Sequence, residues 1–217
     1  MTALERFAGL VESQAALRAR LGPPATEEEL ATFLRELGVS VPAVFVEFFR
    51  GFNGGSRPVW DAATETFVGS HETLFDDETL TLESLDSMVG TKRSWDEWEQ
   101  EFRALAEADR EESSRLALWH PSWVPFASSE AEILALATEP CFGGPANQVV
   151  WFDFKGHCCW EVRHASFEAW LRTLTECCAS GCDAAVREAV QRTLNPEWRY
   201  IEFSTGDDRF QHPGTRF

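Results

Sequence analysis

Asp153, His157, Glu161 and His164 fall within twelve residues of one another and combine carboxylates with imidazoles, the groups a nuclease or hydrolase uses for general acid–base work. The residues around them argue against convergence. They sit in apolar strand-like sequence, and side chains on a strand alternate between faces, so neighbours in the chain are separated in space. Core or rim positions are therefore expected, with Asp153 capping a turn or hydrogen-bonded at a strand end. Cys158 or Cys159 beside His157 is local adjacency, whereas a cysteine nucleophile and its histidine meet through the fold. A zinc site would have to draw on Cys178 and Cys182, one helical turn apart, with His157 and Cys158. No C-x-x-C pair supports it, and the adjacent Cys158 and Cys159 point to opposite faces. G-x-S-x-G, G-x-G-x-x-G, the Walker A loop and H-E-x-x-H are all missing from the sequence. The expectation is a protein with no catalytic centre, no metal and no cofactor.

Charge carries more information than any of these residues. The formal net charge is −17, which opposes the phosphate neutralisation that nucleic-acid binding needs and favours basic protein partners. Between His71 and Glu112 there are fourteen acidic residues against four basic ones, a net −10. Within it, Asp76, Asp77 and Glu78 fall in a loop, and Asp96, Glu97, Glu99 and Glu101 fall on a helix. These seven are the candidate partner-binding residues. A solvated face that serves only solubility is the alternative reading of the same charges.

The elements that must carry these groups follow from periodicity. Residues 3–21 have helical spacing up to Gly22-Pro23-Pro24. Thr26-x-x-Glu29 is a capping box before Leu30, Phe33, Leu34 and Leu37, with Gly38 placed to end the helix. Pro42 suits the next helix start, and Phe45, Phe48, Phe49 and Phe52 form one buried stripe that Asn53-Gly54-Gly55 terminates. Residues 58–60 and 66–68 read as short strands. Ser94-x-x-Glu97 predicts a helix start, with Trp95, Trp98, Phe102 and Leu105 inward and the acids outward. Residues 148–154 and 157–162 predict a central strand pair joined at Lys155-Gly156 and covered on both faces. Ser166 caps a helix to about Cys178, Asp183 caps another, and residues 200–203 read as one more short strand.

Helices first, then strands closed by helices, predict an α+β domain with a mainly antiparallel sheet. One domain over 1–217 is expected, with a helical acidic insertion around 71–112 and a C-terminal helical extension at 183–205. At 217 residues the chain can bury a single sizeable core, and nine Trp and seventeen Phe supply it. No apolar run approaches a membrane span, and the first eight residues lack the features of a signal peptide, so a cytoplasmic protein with reduced cysteines is expected.

Four motifs in order resemble one family. The Val41–Gly55 helix and its Asn-Gly-Gly stop resemble the signature helix of the SUKH superfamily, the SMI1/KNR4-like proteins. Trp123-Val124-Pro125-Phe126-Ala127 resembles its W-I-P-F-A strand, Gln148–Asp153 with Gly156 its aspartate strand and glycine turn, and Ser166-Phe167-Glu168-Ala169-Trp170-Leu171 its closing helix. The resemblance spans about 26–172. The helix lacks the Tyr often found near its start, Phe45 being nearest, and the acidic stretch lengthens the middle. The resemblance implies helices packed around a curved mixed sheet. It also implies either a bacterial immunity protein that binds and neutralises a cognate toxin, or a scaffold of the eukaryotic cell-wall-signalling type. The expectation drawn is a non-enzymatic immunity protein whose partner is a basic toxin such as a nuclease. A ligand-sensing module using a sheet face lined by Trp60, Trp123 and Trp151 is the alternative.

Overall fold

The computed structural model describes residues 1–55, 59–61, 66–68, 80–109, 119–154, 159–180 and 199–201. Capping boxes start two of its helices. Helix α1 (Ala3–Ser13) begins with Thr2 and Glu5 exchanging side chain-to-backbone hydrogen bonds, and a short α2 (Ala15–Ala19) follows a break at the extended Gln14. Helix α3 (Glu27–Leu37) begins as predicted: Thr26 Oγ1 accepts the Glu29 N–H at 3.2 Å, and the Glu29 carboxylate accepts the Thr26 N–H at 2.7 Å. These bonds hold the Glu29 carboxyl below its ordinary range. Gly38 ends α3 at φ 74°, a left-handed turn that costs glycine nothing. Helix α4 (Ala43–Gly51) then buries Phe45, Phe48 and Phe49 completely, with Phe52 close behind.

Strands β1 (Val59–Asp61) and β2 (Thr66–Val68) pair as a separate two-stranded sheet. Strand β3 (Thr81–Leu82) leads into helix α5 (Leu85–Asp109), after which come β4 (Trp123–Ser128), β5 (Glu132–Ala137), β6 (Gln148–Asp153) and β7 (Cys159–His164). Helix α6 (Phe167–Ser180) follows, started by the Ser166 hydroxyl accepting the Ala169 N–H at 3.1 Å, and β8 (Arg199–Ile201) closes the main sheet. That sheet runs β3-β4-β5-β6-β7-β8 with every described pair antiparallel, so β6 and β7 are interior strands as predicted. Register shifts at Pro125/Ala127 and Val149/Val150 mark irregularities of the kind that sharpen twist. Arg199–Ile201 is strand, in keeping with the short strand expected at 200–203, and it pairs with β7; residues 181–198 and 202–205 of the expected helical extension lie outside the described residues.

The sheet divides the interior in two. Val124, Phe126, Leu134, Leu136 and Val149 face a large core built with Phe7, Phe33, the α4 phenylalanines, Phe167 and Trp170. The opposite face carries Trp123, Ile133, Ala135, Ala137, Val150 and Phe152, capped by Trp119 and Cys141 with Trp95 of α5 packed against them. Trp123 and Trp151 therefore lie on opposite faces, and Trp60 belongs to the separate hairpin, so the three do not line one surface. The alternation of side chains between β4 and β6 enforces this separation.

The Asn-Gly-Gly turn is a junction as well as a helix stop. Asn53 Oδ1 accepts the Leu85 N–H at 2.8 Å, which ties the end of α4 to the start of α5. Gly54 sits at φ 88°, where a Cβ would lie 2.9 Å from the Ser84 nitrogen. Gly22 approaches so closely that its Cβ would fall 2.3 Å from the Asn53 carbonyl oxygen, and its N–H donates to the Gly54 carbonyl at 2.7 Å. Only glycine tolerates either position.

Candidate protein-binding face on helix α5

Helix α5 begins nine residues before the predicted start at Ser94, and this resets its phase. Ser94 is an interior helical residue whose hydroxyl donates to the Gly90 carbonyl at 3.1 Å. The inward stripe is set upstream by Leu85, Met88 and Val89, and at 3.6 residues per turn it continues through Lys92, Trp95, Asp96 and Glu99. The predicted Trp95/Trp98 face is thus rotated: Trp95 packs inward, whereas Trp98 keeps 41% of its surface exposed. The side chains of Phe102 and Leu105 lie outside the described ones.

Polar side chains on a buried stripe require partners. Glu99 is only 2% exposed, and its carboxylate accepts the Trp119 backbone N–H at 3.0 Å. Asp96 Oδ1 accepts the Trp119 indole N–H at 2.9 Å, and Asp96 Oδ2 accepts from Lys92 Nζ at 2.6 Å. The buried Lys92 ammonium also donates to the Pro121 carbonyl at 2.5 Å. Three charged residues of one helix thus fix the segment that re-enters the sheet, and they seat a fully buried Trp119 between Trp95 and Trp123 with ring centroids 5.6 and 5.5 Å away. Glu83, just before α5, is likewise buried and accepts the hydroxyls of Ser87 and Ser128.

The seven candidate residues therefore separate by place. Asp96 and Glu99 are turned inward, whereas Glu97 and Glu101 lie on the exposed face of α5 with no hydrogen bond or ion pair among the described residues. Asp76, Asp77 and Glu78 lie outside the described residues. Lys92, Trp119 and the carboxylates holding it were invisible to periodicity, because their partners are 20–29 residues away in the chain.

The groups with catalytic chemistry are spread out. Asp153 pairs across β7 with Cys159 while His164 pairs with Val149, so the two lie about four strand residues, roughly 13 Å, apart. His157, Cys158 and Cys182 lie outside the described residues. Burial, reinforced by the neighbouring Arg163 charge, pushes His164 down to about 3, so it stays neutral, and its Nδ1 has no hydrogen-bond partner. Arg163 ion-pairs with Glu161 and lays its guanidinium 4.7 Å from the centre of the Trp151 ring. Burial likewise pushes the Cys141 thiol up to about 12. Among the described residues no three His, Cys, Asp or Glu side chains are grouped to hold a metal, and no helix is long and apolar enough to cross a membrane.

No curated protein matches the chain. Residues 24–173 match a known family across the Phe-stripe helix, the Asn-Gly-Gly junction, α5, strands β4–β7 and the start of α6. With that stretch covering well over half of its length, the chain belongs to the SMI1 / KNR4 family (SUKH-1).

Proposed function

We propose that this chain is a non-enzymatic immunity protein that binds a cognate toxin and covers its active groove. The toxin it fits is a basic one, such as a nuclease, because acidic side chains can stand where a phosphate backbone would lie. The observation that carries the reading is the exposed pair Glu97 and Glu101 on α5, which makes no ion pair among the described residues, in an SMI1 / KNR4 chain of net charge −17. Asp76, Asp77 and Glu78, outside the described residues, are further candidate contacts for the same partner, while Asp96 and Glu99 hold the segment that packs against α5. Complementary charge speeds encounter, and a desolvated, well-matched pair slows release. Soluble binding in the cytoplasm of the toxin-producing cell is part of this proposal.

The test is a search of the neighbouring genes for a toxin domain, whose absence counts against the reading, followed by co-expression of this chain with the toxin found. Protection of the host and a complex whose affinity falls as salt rises support the reading. A host that dies equally with and without this chain overturns it and leaves the scaffold reading in its place.

A further inference from the structure

We propose that the outer face of α5 around Trp98, Glu97 and Glu101 docks an arginine of the basic partner, with the guanidinium laid on the indole and paired with the carboxylates. The proposal rests on the immunity reading and names the contact at its centre.

Four observations carry it. The exposed large apolar side chains among the described residues are Met1, Leu34 and Trp98, so Trp98 is the one aromatic residue of that set. Tryptophan in a rigid setting is the residue type on which interface energy concentrates. Trp98 is held in such a setting: Trp95 meets it edge to face at 5.2 Å, and Trp95 is itself stacked on the buried Trp119.

Glu97 and Glu101 sit at i and i+4, and Glu101 lies three residues beyond Trp98. A like-charge pair at that spacing weakens a helix, so local stability does not account for it. The cations that precede the pair on the helix do not offset it, and the side chain of Arg103, which follows it, lies outside the described ones. Lys92 is buried on Asp96 and Pro121, and Arg93 makes no ion pair among the described residues.

The protein already builds the proposed arrangement once, where Arg163 lies over Trp151 and pairs with Glu161. The face of α5 offers an indole and carboxylates of the same kind to an outside guanidinium. Arginine fits better than lysine because its planar fork both stacks on a ring and pairs with a carboxylate.

The experiment measures fluorescence anisotropy of labelled octa-arginine and octa-lysine peptides on the full chain at low salt. The variants are Trp98→Ala, Glu101→Lys and Glu12→Lys, the last making the same charge change at an exposed site on α1. Octa-arginine should bind more tightly than octa-lysine. Trp98→Ala and Glu101→Lys should each weaken octa-arginine about tenfold, and Glu12→Lys less than about twofold. Glu101→Lys sets a lysine one helical turn after Glu97, a favourable order of charges, so its thermal midpoint should hold or rise. That variant carries the test if Trp98→Ala folds poorly. Three results overturn the proposal: no binding to the wild type, unchanged binding in Trp98→Ala, or equal damage from Glu12→Lys and Glu101→Lys. In the toxin assay, wild-type protection that survives Trp98→Ala and Glu101→Lys removes this site but keeps the immunity reading. Failure of the wild type to protect removes that reading itself.

Discussion

The two faces of the main sheet are stabilised by different physics. One meets a core of phenylalanines and aliphatic residues in which Phe48 alone touches the rings of Phe7, Phe49, Phe52, Phe167 and Trp170. The other is closed by a tryptophan cluster that depends on Lys92, Asp96 and Glu99 for its position. Apolar packing tolerates small shifts, because it is non-directional. The tryptophan face relies on hydrogen bonds that must all be made, since a buried unpaired donor costs more than the bond returns. The difference teaches that one helix, α5, has two occupations. Its inward charges lock the sheet, which leaves its outer charges, Glu97 and Glu101, facing solvent.

The largest way to break this comparison is Phe48→Ala. Loss of a fully buried ring should cost about 3–5 kcal/mol in chemical denaturation. Glu99→Ala should cost less, about 1–3 kcal/mol, by leaving the Trp119 N–H unpaired. Its effect should be local, and thiol labelling can read that. Cys141 lies in the tryptophan cluster and Cys177 is buried on α6, so Glu99→Ala should speed labelling of Cys141 well before that of Cys177. Equal acceleration at both would show that the two faces are one cooperative unit.

His164 sharpens the comparison by pH. Its folded pKa lies far below its unfolded value near 6.5, so the unfolded state gains a proton first on acidification. Stability should therefore fall as pH drops from about 6.5 toward 3, by at most about 1.4 kcal/mol per pH unit from this group. Urea midpoints at pH 7 and 5 should diverge in the wild type and draw together in His164→Gln. Smallest is Thr26→Ala, which removes a capping box at the edge of the phenylalanine core and should cost about 1 kcal/mol. That loss should leave Cys141 labelling unchanged.

These contrasts match what could be read in the chain. Thr26-x-x-Glu29, the Phe45–Phe52 stripe, Ser166 and the 148–154 strand announced themselves because their partners are local or periodic. Helix α5 misled for a physical reason. Ser94-x-x-Glu97 has the form of a capping box, but the real start is capped by Asn53, thirty-two residues earlier. Read from Ser94, the pattern puts Asp96 and Glu99 in solvent and Trp98 in the core; the helix that starts at Leu85 has them the other way round. Composition located the acidic helix correctly. It could not sort the helix's carboxylates into those left exposed and those that hold the fold.

The Asn53–Leu85 bond has a practical consequence. It fixes α5 at its first residue, against a junction whose glycines admit no alternative geometry. A lever anchored at one end lets its far surface be rewritten without moving the pivot. Residues 97, 98 and 101 are thus exposed positions at which a library can be displayed and selected for new targets on a helix fixed at its start.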